Sequence, residues 1–161
     1  MASATTVRLV ISSEVRLVDV VHAASETMAG LAGFETDDAL NVGIAVREAV
    51  INAIVHGNRL DPSRKVEVSL EARPRSIRAR VRDHGAGFDS GTTPDPTVGD
   101  NLMRTSGRGI LVMRAFVDSV DFKFLEGRGM EVTLHKKSVA RKTTRSARPS
   151  AAAADNGGIE R

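Results

Sequence analysis

Residues Ile44 to Asn58 read IAVREAVINAIVHGN, and from Ile44 to Val55 every position is apolar except Arg47, Glu48 and Asn52. A run of this length without proline predicts a helix buried on most of its sides. Glu48 and Asn52 are four apart and stack on one face, with His56 a further turn along. A carboxylate and an amide held against an apolar wall are costly unless something satisfies them. The pair therefore implies either a ligand or a satisfied polar partner inside the core. For His56 the two readings are a neighbour of that ligand and, preferred, a C-terminal helix residue that meets the helix dipole.

Working outward towards the N-terminus, Thr36 or Asp37 is the expected cap of this helix, which should run from about Asp38 to His56. Gly30 and Gly33 close an earlier helix from about Glu14 to Leu31, with Leu17, Val21, Ala24, Met28 and Leu31 as its apolar seam and Ser12 or Ser13 as its cap. Glu14, Arg16, Asp19 and Glu26 form its solvated face. Before it, Thr6 to Ser12 is rich in Val and Ile and reads as a strand.

Towards the C-terminus, Val66, Val68 and Leu70 alternate with Glu67, Ser69 and Glu71. Ile77, Ala79 and Val81 then alternate with Arg78, Arg80 and Arg82 across the break at Arg73-Pro74-Arg75. This is the pattern of an antiparallel hairpin. The second strand leads into Asp83-His84-Gly85-Ala86-Gly87-Phe88, where two glycines let the backbone turn tightly or approach a ligand. From Asp89 to Ser106 no period is visible, and a long irregular loop of this kind reads as a mobile, functional segment. Ser106-Gly107-Arg108-Gly109 opens the helical run Ile110 to Val117, a start that favours a phosphate at the positive end of the helix dipole. Phe122–Leu125 and Met130–Leu134 form a last hairpin, and residues 137–161 read as a disordered basic tail after a domain spanning 1–136.

Composition narrows the function classes. The chain has no Cys, so neither a disulfide framework nor a thiolate metal site is expected, which fits a reducing cytoplasm. No signal peptide and no stretch approaching the length of a membrane span is expected. The pI of 9.8 comes from the end of the chain. From Lys136 onward seven basic residues face two acidic ones, which leaves residues 1–135 at about −2. With aromatic content at 3% and no Trp or Tyr, recognition of nucleic acid by stacking is not expected.

Taken in order, the Glu48/Asn52 helix, Asp83-x-Gly85-x-Gly87, Gly107-x-Gly109 and Thr133 resemble the GHKL nucleotide-binding fold of gyrase, MutL and bacterial histidine kinases. The phrases HGNRLDPSRKVEV, DHGAGFD, SGRGILVMRAFVD and GMEVTL resemble more closely the small serine kinases that act as anti-sigma factors, of the RsbW type. The resemblance covers about Thr6 to Lys136. It implies an α+β fold, a two-layer sandwich with a mostly antiparallel sheet packed on helices. It also implies ATP and Mg²⁺ as cofactors, with Asn52 as the metal ligand and Glu48 as the general base toward an acceptor serine. Asp83 would read the adenine amine, Gly85 and Gly87 would let the backbone approach, and Thr133 would support the adenine pocket. Gly107 and Gly109 would bring the last helix under the phosphates. The family's arginine for the γ-phosphate stands shortly before the Ser-Gly, but Thr105 directly precedes Ser106 here, so Arg104 or Arg108 takes that role. The implied partners are a sigma factor, an antagonist protein that is the substrate, and a second copy of the chain in a homodimer. The alternative is an ATP-gated binding module without efficient transfer.

Overall fold

In the computed structural model, residues 3–86 and 108–139 are described. Five strands form one sheet in the order β1-β2-β3-β5-β4, and every neighbouring pair is antiparallel. They are β1 (Thr5–Ser12), β2 (Lys65–Arg73), β3 (Ser76–Asp83), β4 (Ser119–Leu125) and β5 (Gly129–Lys137). Among the described residues three α-helices, α1 (Val18–Leu31), α2 (Thr36–Asn52) and α3 (Gly109–Phe116), pack on one side of it. This is the expected α+β sandwich.

The alternation expected for the central hairpin is what seats the sheet on the helices. Val66, Val68, Leu70 and Ala72 of β2 and Ile77, Ala79 and Val81 of β3 are all buried, with Val68 opposite Val81 and Leu70 opposite Ala79. Val132 and Leu134 extend the same face into β5, opposite Val81 and Ala79. The buried stripe of α2, including Val42, Val46 and Val50, covers this surface. Area removed from water on both layers supplies the main stabilisation.

Several boundaries differ from expectation. The first helix begins at Val18 after a 3₁₀ turn at Val15–Leu17, and it has no side-chain cap. Ser13 instead donates its hydroxyl to the Arg64 carbonyl at 2.8 Å, tying β1 to the start of β2. That tighter entry turn changes the phase, so the buried seam is Val18, Val21, Ser25, Met28 and Ala29 and Leu31 is 67% exposed. The cap position of α2 falls on Glu35, which places Thr36, Asp37 and Asp38 in the first turn, where acids complement the dipole. The last strand takes in Lys137, and the Ser138 N–H donates to the Arg75 carbonyl at 2.9 Å, so the fold reaches past the expected end of the domain.

The largest departure follows Asn52. There α2 continues into a wide π turn at Ala53–Gly57, in which the Asn58 N–H reaches the Ala53 carbonyl at 2.8 Å. The continuous helix of 22 residues is, by length and composition alone, long and apolar enough to cross a membrane, where no such stretch was expected. Its apolar side chains are spent instead on the sheet and on α1 and α3, since Val42, Ala45, Val46, Ala49, Val50 and Ile54 are buried.

Candidate functional site

Two groups of residues meet where the C-terminal end of α2 passes the start of α3 and the end of β3. In the first group, Glu48 is half-buried and Asn52 is 6% exposed, one turn apart on α2 as their spacing requires. Gly109, the first residue of α3, is packed directly on them. A Cβ built there would lie 2.9 Å from Glu48 Oε2 and 3.5 Å from Asn52 Nδ2. The absence of a side chain there keeps the helix start in close contact with both groups. Neither Glu48 nor Asn52 forms a side-chain hydrogen bond or salt bridge with another described residue. Two polar groups are thus set beside the positive end of a helix dipole with their bonding capacity unspent among the described residues.

The second group surrounds Asp83, which is 2% exposed. Its Oδ1 accepts the Gly85 N–H at 3.0 Å and the Met130 N–H at 3.3 Å. Burial pushes the carboxyl above the usual carboxylate range, and the two backbone N–H groups offset part of that shift. Gly57, from the π turn, lies against the Asp83 side chain, while Gly129, at φ +93°, lies against its backbone carbonyl. A Cβ on either glycine would collide with Asp83, so the carboxylate sits in a cradle made of bare backbone.

Asn58 locks that cradle in place. Fully buried, it donates from Nδ2 to Ser13 Oγ at 2.8 Å and to the Lys65 carbonyl at 2.9 Å. Its Oδ1 accepts the His84 N–H at 2.9 Å, so the residue after Asp83 is tied to β1 and β2. Asn58→Ala strands one buried and two part-buried partners and is expected to destabilise the fold by about 2 kcal/mol. Denaturant unfolding checks it, and a change below about 0.5 kcal/mol would mean water replaces the amide.

The structure brings Glu48, Asn52 and Gly109 together, and it sets Asp83 beside Gly85. Arg108 is exposed and immediately precedes α3. Gly87, Arg104 and Gly107 lie outside the described residues, as does the expected loop from Asp89 to Ser106. Two expectations are corrected. Thr133 pairs in register with Arg80 and Asp121, both exposed, so it points to the sheet face away from Asp83. The β5 residue that reaches Asp83 is Met130, through its N–H and on the helix-facing side of the strand. His56 is exposed and does not continue the Glu48–Asn52 face, but it is the basic residue of the last turn, as its preferred reading has it. Gly57, Asn58, Gly129 and Met130 were not singled out by sequence reasoning. The available signal was a glycine placed directly after an otherwise apolar helix and another at the start of a strand.

The histidine kinase-like ATPase domain family matches residues 11–136. An anti-sigma F factor of Anoxybacillus flavithermus is 35% identical over 104 residues, covering 62% of this chain and 70% of that one. An anti-sigma F factor of Geobacillus stearothermophilus is 34% identical over 112 residues, covering 68% and 75%. Among solved structures, the RsbU and RsbW domains of a Mycobacterium tuberculosis protein superpose with a TM-score of 0.59 at 19% identity. That likeness covers 83% of this chain and 32% of the other, and at this identity it speaks for the fold alone.

Proposed function

We propose that this chain, which belongs to the histidine kinase-like ATPase domain family and within it to the anti-sigma factor type, is an ATP-dependent protein serine kinase. In this reading it binds a sigma factor as a homodimer and phosphorylates an antagonist protein that releases the sigma factor. The observation that carries the reading is the meeting of Glu48, Asn52 and the start of α3 at one point, beside the enclosed Asp83.

The residues fit the cofactors. Asn52 offers a hard amide oxygen with no bond to another described side chain, the ligand class that Mg²⁺ takes together with phosphate oxygens and water. Bound there, the ion would neutralise charge on the phosphates. Asp83 accepts from the exocyclic amine of adenine, and Gly57 and Gly85, whose bare backbones close on Asp83 and on each other, hold the carboxylate in place. Glu48 takes the proton of the acceptor serine hydroxyl as its oxygen attacks the γ-phosphorus. The bond to the ADP oxygen then breaks, and the phosphoryl group passes to serine. The first turn of α3 offers N–H groups to the phosphates.

Transfer of labelled γ-phosphate from Mg-ATP to the antagonist protein tests the reading. Asn52→Ala is expected to weaken Mg-dependent ATP binding about tenfold or more and leave metal-free binding little changed. Equal loss with and without Mg²⁺ would move the metal ligand elsewhere. A second reading, a nucleotide-gated binding module that transfers phosphate poorly, is favoured by one feature. Thr105 directly precedes Ser106, and the nearest arginines are Arg104 and Arg108.

A further inference from the structure

The sheet face turned away from the helices is open to solvent, with Arg8, Val10, Glu67, Arg78 and Arg80 all exposed on it. The register sets Arg82 between Glu67 and Glu131, and Arg80 between Ser69 and Thr133, with Arg8 beyond Ser69 on β1. Arg8, Arg80 and Arg82 line one groove of about 200 Å³, together with Val10, Glu67 and Glu131.

Two of the acids near these arginines are engaged elsewhere, and Glu131, opposite Arg82, forms no salt bridge with it. Glu67 Oε1 lies 2.8 Å from His84 Nε2, and Glu71 Oε1 takes the Arg73 guanidinium at 2.7 Å. Among the described residues no salt bridge reaches Arg8, Arg78, Arg80 or Arg82. The excess positive field is felt at Glu71, whose carboxyl is held below its usual range by the Arg73 hydrogen bond first and also by the charges of Arg73, Arg78 and Arg80. Most telling, Arg82 Nε is buried without a hydrogen-bond partner. A guanidinium N–H left without an acceptor is costly, so Arg82 keeps unspent hydrogen-bonding capacity on this face.

We propose that this groove docks an extended acidic segment of a partner protein. Arg80 and Arg82 are two residues apart on one strand, about 6.6 Å, which is the repeat of alternate side chains along an extended chain. Carboxylates at alternate positions of the segment pair with these two, Arg8 adds a third cation two strands to the side, and the side chains between the carboxylates point away from the groove. Charge complementarity selects a polypeptide over nucleic acid. A segment with separate carboxylates sets them over Arg80 and Arg82 and clear of Glu67 and Glu131, which a continuous phosphate backbone meets, and none of the groove's residues is aromatic and able to stack on a base. The site is separate from the Glu48 and Asp83 groups and does not depend on how those are read.

The test is fluorescence anisotropy with a labelled peptide of alternating Glu and Val, added to the full chain and to R80E, R82E and R16E. Arg16 is exposed at the entry to α1, so R16E carries the same charge change away from the groove. Wild type and R16E are expected to bind alike. R80E and R82E should each lose about tenfold or more in affinity, with the ATP-dependent rise in melting temperature unchanged. Because Arg80 is exposed, R80E keeps the test valid where R82E fails to fold. Equal binding by all four proteins overturns the proposal. Competition by a single-stranded oligonucleotide as effective as unlabelled peptide assigns the groove to nucleic acid instead. Dissociation of a self-associated form by R80E, seen by sedimentation, assigns it to a second copy of the chain.

Discussion

Glu48→Gln is expected to lower phosphate transfer to the antagonist by about 10²- to 10⁴-fold while ATP still binds. The two side chains are nearly isosteric, so the packing of Glu48 against the backbone of Gly109 survives. What is lost is a group able to hold the proton of the attacking hydroxyl. In the proposed reading nucleotide binding rests on other atoms, the Asp83 cradle and Asn52, and is expected to persist. Single-turnover transfer and equilibrium ATP binding, measured on the same samples, separate the two effects. A variant that transfers at the wild-type rate would show that the base lies elsewhere. A wild-type protein that binds ATP and labels no candidate antagonist would favour the nucleotide-gated module.

How much of this was legible in the sequence depends on which force set each feature. Burial of one sheet face imposes a period of two on β2 and β3, so the Val66/Val68/Leu70 and Ile77/Ala79/Val81 patterns disclosed the hairpin directly. The same rule, applied to β5, was enough to turn Thr133 outward, because Val132 and Leu134 on either side are buried. The motif match had named a residue type without regard to strand parity. The π turn at Ala53–Gly57 had no comparable signal. It arises from tertiary demands, the docking of Gly57 on Asp83 and of Asn58 on Ser13, Lys65 and His84, and local propensity reads that stretch as plain helix. Glu48 and Asn52 were visible as polar residues in an apolar run. Their meeting with Gly109 joins residues about sixty positions apart, and only the resemblance to a family foreshadowed it.

Asp83→Asn is expected to have opposite effects on binding and stability. An amide of the same shape still accepts the Gly85 and Met130 N–H groups at Oδ1. Its other end presents an N–H₂ group where, in the proposed reading, adenine offers its own amine, so a charge-assisted acceptance becomes a donor facing a donor. Loss of that bond and its replacement by repulsion are expected to weaken ATP binding about 100-fold. Stability should move the other way. Burial raises the Asp83 carboxyl above its unfolded value near 3.9, so the folded state binds this proton more tightly than the unfolded one. Its contribution to stability is therefore fully present below that unfolded pKa and is lost as pH rises through the raised folded one. At neutral pH the wild type carries a desolvated carboxylate that the variant lacks, and Asp83→Asn should melt higher there and lose that segment of the pH dependence. ATP affinity of the wild type should fall as pH drops through the same raised pKa, where the carboxylate takes up its proton. Calorimetric melting and ATP titration across pH 4 to 8 measure both. A variant that is less stable at pH 7 yet binds ATP normally would mean that the Asp83 carboxylate serves the fold and that adenine is read by another group.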